Sequence, residues 1–411
     1  MEKTKLRTDL DTFIDELYEF SKSGKKPALA SRELRFQLEK QRERIKRYDL
    51  EMEEKIDHTK DEIYGGLSRK GTSIRADVVY REGVRRLSIR KDGKQLYRKE
   101  EPVIFYATEL YREGYSDDLC VCPGCGNSAR KSKMREGCPY CGTVFEVEDA
   151  WPVFSCWYDV RSIVERGRLI PDLKRNLTIL FGISMTVSFV LYLLNFSDMD
   201  MPWRILAALF AAAFSSAGIV FVAYMLNSLF LLFQLMKEAG RSLPLLKGIK
   251  TGKKLEEKMK EYEPDFSFSY FEGRVLSLLR MIAFSEKRDE LSVYEGEEDL
   301  SFLDDLIDMQ YRGALQLLDF MEKDNVLHVK VRAFMDDLHY NGRIFRKDED
   351  LIVTLEKDVD PAFDPGFSLN KVECRNCGAS FDALHRKKCP YCGSEYKLIH
   401  DDWMTTSIRR R

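Results

Sequence analysis

Eight of the ten cysteines are arranged as two matched sets of paired thiols. The first set reads CPGCG at 122–126 and CPYCG at 138–142, and the second reads CRNCG at 374–378 and CPYCG at 389–393. Two residues between cysteines let one tight turn present both sulfurs to a single ion, and two such turns complete a tetrahedron. The residues predicted to bind metal are therefore Cys122, Cys125, Cys138, Cys141, Cys374, Cys377, Cys389 and Cys392.

This spacing predicts two structural Zn²⁺ sites, one in each set. A site closed by four cysteines has no open position for water, so neither site is expected to be catalytic. We expect the glycine after each pair to adopt a positive φ and to turn backbone N–H groups toward the sulfurs. The alternative is a C-x-x-C redox site, which needs one pair of thiols and not two matched pairs. We interpret Cys120 and Cys156 as free cytosolic thiols, with Cys120 as an alternative ligand.

Two apolar segments indicate that the cysteine sets are held at a membrane. Residues 177–196 carry no charge and are long enough as a helix to cross the hydrocarbon core. Residues 205–236 are also uncharged, and their length predicts one long, tilted helix that projects past the bilayer. The sequence therefore predicts a transmembrane helical hairpin over 172–240. The alternative is a helical hairpin buried in a large soluble core.

The charges that flank the apolar segments predict their orientation. Five basic residues lie in 161–175, before the first segment, and six lie in 237–254, after the second. By the positive-inside rule, both termini are expected in the cytoplasm, as in a multi-pass protein of the plasma membrane. The N-terminal residues contain no apolar stretch of the kind that signal peptides need, so no cleaved signal peptide is expected.

The overall composition excludes several classes of protein. The 411 residues are 44% hydrophobic and 33% charged, and the mean hydropathy of -0.37 is that of a soluble protein. Low-complexity disorder is excluded because 12% of the residues are aromatic. The five histidines form no local cluster, and His328 and His339 are interpreted as surface or satisfied core histidines. Since the chain also lacks a glycine-rich phosphate loop, we predict that it is not an enzyme.

The order of these features predicts an α+β multidomain membrane protein. Helical periodicity, period-two runs and turn dipeptides separate the parts of the chain. The predicted domains are an N-terminal helix plus β-meander domain (1–119), the first zinc ribbon (120–160), the transmembrane hairpin (172–240), a C-terminal α+β domain (262–365) and the second zinc ribbon with its tail (370–411).

Periodicity also predicts the elements inside the two larger domains. Apolar residues recur at helical spacing over 31–64. This pattern fits a helix lying on a domain, with a coiled coil as the alternative. The Asn341-Gly342 dipeptide is typical of a two-residue hairpin turn. The predicted elements are a helix over 31–64, strands over 73–110, helices over 270–284 and 300–321, a strand over 327–333, and a hairpin at 341–342 followed by a turn at 348–350 and a further strand.

Opposite charges in the two halves predict that the halves contact each other. Residues 69–99 contain eleven basic and three acidic side chains, whereas residues 286–308 contain ten acidic and two basic ones. The basic segment could also be a solvated strand face or contact anionic lipid headgroups. Nucleic acid is disfavoured because the acidic segment repels phosphate. If the halves face one another, charge reversal at Arg85, Arg86 and Arg90 should loosen the contact.

From about Asp265 to Arg411, the chain resembles bacterial membrane proteins with a Tim-forty-four-like domain followed by a zinc ribbon. The resemblance is carried by FEGRVLSLL, LIDMQYRGALQLL, CRNCGASFDALHRKKCPYCG and the tail HDDWMTTSI. It implies a cone-shaped α+β fold like that of nuclear transport factor two. In the family, this domain associates with membranes or proteins and is not known for catalysis. The family tail usually has one acidic residue before the tryptophan, whereas this chain has Asp401 and Asp402. We expect Trp151 and Trp403 to pack against their own ribbons, with partner docking as the alternative.

Together these features predict a membrane-anchored cytoplasmic zinc-ribbon scaffold or adaptor. Its expected partners are the lipid bilayer and one or more proteins, and a homo-oligomer is left open. The resemblance implies an association with protein transport or envelope assembly. The first alternative is an enzyme or small-ligand binder that uses a pocket of the C-terminal domain, and the second is a nucleic-acid-binding ribbon protein.

Overall fold

The chain divides into two units. The computed structural model describes residues 2–58, 63–70, 74–112, 116–122, 124–134, 137–143, 152–161, 166–360, 367–370, 372–384 and 386–411. One unit consists of Met1–Arg161 and Leu245–Arg411, and the other of Ser162–Pro244. The predicted N-terminal domain (1–119) and the predicted C-terminal α+β domain (262–365) therefore lie in the same unit.

The secondary structure is that of a mixed α/β protein. The helices are α1 (Glu2–Ser23), α2 (Arg32–Arg47), α3 (Lys131–Met134), α4 (Arg166–Asn195), α5 (Met201–Met259) and α6 (Phe268–Phe284), with short 3-10 helices at Arg288–Glu290, Ser301–Leu303 and Leu398–His400. The strands are β1 (Glu51–His58), β2 (Tyr64–Lys70), β3 (Ile74–Lys91), β4 (Lys94–Arg112), β5 (Leu119–Val121), β6 (Ser128–Arg130), β7 (Val153–Arg161), β8 (Leu306–Asp308), β9 (Tyr311–Lys323), β10 (Val326–Tyr340), β11 (Ile344–Asp358), β12 (Val372–Glu373), β13 (Ser380–Phe381) and β14 (Met404–Arg410).

One sheet runs through both halves of the first unit. Its strand order is β1-β3-β4-β7-β9-β10-β11-β14, with β2 paired to β3 and β8 paired to β10. The halves join where β7 runs parallel to β9 and Val160 lies opposite Tyr311. The other pairings are antiparallel, as expected for strands joined by short turns. The largest core cluster contains Cys156 and Tyr158 of β7 together with residues of α6 and the C-terminal strands, so the two halves share a hydrophobic core.

The strands predicted over 73–110 are confirmed as the long β3–β4 hairpin. Its turn places Asp92 and Gly93 at φ angles of 50° and 74°, which suit a tight turn between twisted strands. The helix predicted over 31–64 is correct only as far as Arg47. It ends because Asp49 adopts a left-handed φ of 55°, and β1 then pairs with β3.

The helix predicted over 300–321 is wrong. The segment contains a 3-10 helix at Ser301–Leu303 and the strands β8 and β9. Gly313 has a φ of 86°, which an α-helix cannot contain, and β9 instead pairs with β10 along most of its length. Leucines at helical spacing fitted both structures, and the pairing with β10 decided between them.

The helix predicted over 270–284 and the hairpin at Asn341-Gly342 are confirmed. Helix α6 begins after Ser267, whose Oγ accepts a hydrogen bond from the Tyr270 N–H. Its predicted apolar stripe is buried against the sheet in the main core. Strands β10 and β11 pair from Val326 to Tyr340 around the hairpin turn. The turn predicted at 348–350 is absent, because these residues lie inside β11.

The second unit contains the two apolar helical segments. The segments Arg175–Asn195 of α4 and Met201–Leu229 of α5 are both long and apolar enough to cross a membrane. The most apolar part of the first is 0% buried and that of the second is 17% buried, and Phe214 is 87% exposed. The helices are therefore not in a soluble core of this chain, which excludes that alternative for the described residues. Helix α5 continues to Met259, well beyond the end of its apolar segment at Leu229.

Candidate metal centres

The structure brings the four cysteines of each predicted set together. We call Cys122, Cys125, Cys138 and Cys141 the first quartet, and Cys374, Cys377, Cys389 and Cys392 the second quartet. Within each quartet, all four sulfurs lie within 4.8 Å of one another. The closest sulfur pairs are 3.7 and 3.6 Å apart in the first quartet and 3.5 and 3.7 Å apart in the second.

These separations fit one tetrahedral ion in each quartet. Four sulfurs at about 2.3 Å from a central Zn²⁺ would be separated from one another by about 3.8 Å. All ten cysteines are free thiols, and none of these pairs is close enough to be a disulfide. Each quartet could therefore bind one metal ion.

The same backbone turn recurs at all four cysteine pairs. The glycine after each pair has a φ between 69° and 75°, which confirms the predicted positive φ. Its N–H donates to the carbonyl oxygen of the first cysteine of the pair, at distances of 2.7 to 3.0 Å. The glycine N–H thus closes the turn by donating to a carbonyl oxygen, whereas donation to a sulfur was expected. The Gly124 N–H does donate to Cys122 Sγ, at 3.3 Å.

Hydroxyl groups lie beside the last cysteine of each quartet. Thr143 Oγ1 is 3.1 Å from Cys141 Sγ, and Ser394 Oγ is 3.1 Å from Cys392 Sγ. The hydrogen bond from Thr143 lowers the pKa of the Cys141 thiol to about 6. The hydrogen bond from Ser394 lowers the pKa of the Cys392 thiol to about 5. Both positions therefore favour the thiolate, which is the form that binds metal.

The two quartets have different surroundings. Cys122 and Cys138 of the first quartet belong to a small separate cluster with Ala129 and Met134. Cys374 and Cys389 of the second quartet belong instead to the main core, together with Phe381, Tyr396 and Leu398. The same core contains residues of α6 and of the large sheet. The second quartet is thus part of the main fold, whereas the described residues around the first quartet form a small local core.

The two remaining cysteines are separate from the quartets. Cys120 is half-buried on β5 and packs against the small cluster of the first quartet. Cys156 is buried on β7, and its thiol donates to the Gly273 carbonyl oxygen at 3.1 Å. Burial raises the pKa of Cys156 to about 12, so this thiol stays neutral.

The acidic-tryptophan tail of the second ribbon contacts helix α6, and Trp403 shares the main core with Phe381 and Tyr396 of its own ribbon. Trp403 is buried edge-on against Phe271 of α6, with ring centroids 5.2 Å apart. The preceding Asp402 forms an ion pair with Arg274 of the same helix at 2.8 Å. The tail therefore fastens the end of the chain to α6. The corresponding Trp151 lies outside the described residues.

A third group of metal-binding residue types comes together in the sheet, at Asp337, His339 and Glu349. The sequence does not reveal this group, because Glu349 reaches the other two residues through the pairing of β10 with β11. His328 is half-buried, and its Nδ1 lies 3.1 Å from Glu356 Oε1. His339 is a buried histidine, but its Nε2 has no hydrogen-bond partner, so it is not satisfied.

No protein-family model, no curated protein and no solved structure matches the chain. The structure describes a mixed α/β protein with two exposed apolar helices and two four-cysteine clusters.

Proposed function

We propose that the protein is a membrane-anchored, non-catalytic scaffold or adaptor that displays two zinc ribbons. The proposal rests on the division of the chain into two units. The unit Ser162–Pro244 exposes long apolar helices, while the other unit contains both cysteine quartets. Apolar surface of this extent is stable only where lipid or protein covers it. Closed four-thiol sites stabilise a fold and offer no open position for chemistry.

Zinc is the metal that the quartets suit best. Four thiolates form a soft ligand set, which favours Zn²⁺ over the hard cations Mg²⁺ and Ca²⁺. The sulfur separations of 3.5 to 3.7 Å support a tetrahedral geometry. Lys133 and Arg130 of the first ribbon and Lys388 of the second would offset the negative charge of a tetrathiolate centre.

The proposed topology has two membrane crossings with both chain ends in the cytoplasm. The basic residues of 161–175 and 237–254, which flank the two apolar segments, support this orientation. Ten free thiols are also compatible with a reducing compartment. The loop between the crossings, at 196–200, would face the opposite side.

The proposed partners are the lipid bilayer and a second protein. The resemblance to Tim-forty-four-like domain proteins supports a role in protein transport or envelope assembly. The first ribbon exposes Leu119, Val121 and Tyr140, an apolar surface that suits contact with a protein. Assembly into a homo-oligomer would use the same kind of surface.

Three measurements test the proposed function. Cells are lysed without detergent, and we expect the protein to sediment with membranes and to resist extraction at alkaline pH. Metal analysis of the detergent-purified chain should return two zinc ions per chain. Crosslinking in cells followed by mass spectrometry should recover membrane or secretory proteins. A soluble protein, a zinc content well below two, or recovery of RNA in place of protein would each contradict the proposal.

Small-ligand binding is a second candidate function, favoured by a cavity of about 460 Å³ between α1, α2 and β1. Its lining includes the apolar side chains of Phe20, Leu38 and Trp157 and the charged side chains of Arg42 and Glu53. The pocket predicted from the sequence lies in the C-terminal domain, whereas this cavity lies in the N-terminal half. Native mass spectrometry of the purified protein tests the candidate. A bound small molecule that is lost in Leu38→Trp would support it.

A further inference from the structure

We propose that Asp337, His339 and Glu349 form a third metal site, which binds a divalent transition-metal ion through one imidazole nitrogen and two carboxylates. One ligand atom from each of these residues lies within 4.8 Å of the others. The site is separate from both cysteine quartets. It does not depend on the proposed function, because neither membrane anchoring nor zinc binding by the thiols enters the argument.

The sheet itself places the three side chains on one face. Asp337 and His339 are two residues apart on β10, and residues at this spacing point to the same side of a strand. On β11, Glu349 lies opposite Met335, the next residue on the same face of β10. The three ligands therefore converge through the backbone register and do not depend on long, flexible side chains.

The group is buried, and it lacks the partners that buried polar atoms need. The exposed fractions of Asp337, His339 and Glu349 are 0%, 1% and 3%. Asp337 Oδ2, His339 Nε2 and Glu349 Oε2 have no hydrogen-bond partner among the described residues. Lys347 and Arg410 pair with Glu349, but Asp337 forms no ion pair among the described residues. Its buried carboxylate beside that of Glu349 is costly unless a cation or a proton lies there.

The spacing of the unpartnered atoms fits one ion. His339 Nε2 and Glu349 Oε2 are 4.0 Å apart, which is too long for a hydrogen bond. Two ligands at about 2.1 Å from one ion can be separated by up to about 4.2 Å. An ion would therefore satisfy both atoms with little movement of either side chain.

Each ligand is also held by a second contact that leaves one atom free for the ion. His339 Nδ1 lies 2.8 Å from Asp305 Oδ1, so the Nδ1–H donates to the carboxylate and the Nε2 lone pair faces the group. Lys347 and Arg410 pair with Glu349 through Oε1, which leaves Oε2. The Gln310 N–H donates to Asp337 Oδ1 at 3.3 Å, which leaves Oδ2.

This mixed set of ligands selects a different ion from the quartets. Imidazole and carboxylate groups suit Mn²⁺, Fe²⁺ and Zn²⁺, whereas four thiolates hold Zn²⁺ much more tightly than Mn²⁺. Mn²⁺ is therefore a selective probe of the third site in a protein whose quartets contain zinc. Its free ion has an electron paramagnetic resonance signal that is lost on binding, so the bound fraction can be counted.

The test is a Mn²⁺ titration of the full chain in detergent, with zinc in the quartets. We expect one saturable equivalent in the wild type. The variants His339→Gln and Glu349→Gln should weaken binding by at least about 10-fold, and Asp305→Asn should weaken it by about 10- to 100-fold through the orientation of His339. The matched control is His328→Gln, which removes a histidine of the same strand that also lies beside a carboxylate. It should bind Mn²⁺ as the wild type does.

Two results would overturn the proposal. The first is a wild type without a saturable Mn²⁺ site, and the second is a His339→Gln variant that binds as the wild type does. If the group holds a proton in place of a metal, Asp337→Asn will raise the Tm and the wild type will not bind Mn²⁺. Each variant is checked for its two zinc ions and its elution volume. If a variant fails to fold, the wild-type titration still decides the outcome.

Discussion

The buried guanidinium of Arg85 on β3 donates to the carboxylate of Asp308 on β8, with Nη2 and Oδ2 2.7 Å apart. The Nε of the same guanidinium donates to Glu54 of β1 at 2.6 Å. The basic N-terminal segment and the acidic C-terminal segment therefore do contact each other, and Arg85 makes the contact. The other two arginines named for this role are exposed, and Arg86 pairs with Asp57 of its own half.

Replacing Arg85 should be far more costly than replacing its neighbour Arg86. Arg85→Met would leave Glu54, Asp159 and Asp308 buried together without their cation. We expect the free energy of unfolding to fall by about 3–5 kcal/mol. Arg86→Met removes an exposed ion pair and should cost about 0–1 kcal/mol.

Urea denaturation of the detergent-solubilised protein, followed by tryptophan fluorescence, measures both variants. Equal losses for Arg85→Met and Arg86→Met would show that Arg85 has no special role in joining the halves.

Glu272 of α6 should make stability depend on pH. Its carboxyl group accepts hydrogen bonds from the hydroxyl groups of Tyr158, at 3.2 Å, and Tyr311. Burial raises the pKa of Glu272 from 4.5 to about 6. The folded state therefore binds the proton more tightly than the unfolded state does. The stabilisation is fully present below about pH 4.5 and is lost as the pH rises through about 6.

The variant Glu272→Gln cannot titrate, so its stability should not contain this pH dependence. Between pH 4.5 and 7, we expect the wild type to lose about 1–2 kcal/mol more stability than the variant. The free energy of unfolding at the two pH values provides the measurement. Glu297→Gln, which changes an exposed glutamate, should follow the wild type. If Glu272→Gln also follows the wild type, the carboxyl group titrates normally in the folded state.

Loss of metal from the two quartets should have unequal consequences. Cys374→Ser and Cys122→Ser should each reduce the zinc content from two ions to one. Only the first should lower the Tm strongly, because Cys374 lies in the main core whereas Cys122 lies in the small cluster of the first quartet. Metal analysis and thermal denaturation of the same samples give both values.

Cys120→Ser is the matched control for this experiment. Cys120 lies on β5, two residues before Cys122, but is not one of the four cysteines of the quartet. The variant should retain two zinc ions. A loss of one ion would show that Cys120 is a ligand.

The sequence predicted the quartets because their ligands are close along the chain. A turn of two residues fixes each pair, and the same glycine geometry repeats at all four. The third group could not be found in this way. Its motif is split between β10 and β11, and only the register of those strands brings Glu349 to His339.

The parts of the fold that the sequence does not predict depend on long-range strand pairing. The helix predicted over 300–321 had apolar residues at helical spacing, but β10 was available to pair with that segment and made it a strand. The sheet is continuous through both halves because Val160 meets Tyr311, a contact between residues that are far apart in the sequence. Local periodicity contains no information about such a contact, so the sequence does not predict that one sheet joins the two halves.

Gly313, beside this junction, should not tolerate a side chain. Its φ of 86° is costly for any other residue, and a Cβ atom would lie only 2.6 Å from Val160 Cγ1. Gly93 provides the control, because it has a φ of 74° with nothing within 4 Å of an added Cβ. Gly93→Ala should therefore cost only the backbone strain, about 1–2 kcal/mol.

Gly313→Ala should cost the same strain plus about 1–3 kcal/mol for the clash with Val160. Truncating Val160 separates the clash from the backbone strain at Gly313. In the double variant Gly313→Ala with Val160→Ala, the clash is relieved, so the two substitutions should destabilise the protein by less than the sum of the single variants. Unfolding free energies of the four proteins complete this cycle. Strict additivity would mean that β7 and β9 can separate at Val160 to admit the methyl group. The junction between the halves would then be looser than the close approach of Val160 to Gly313 indicates.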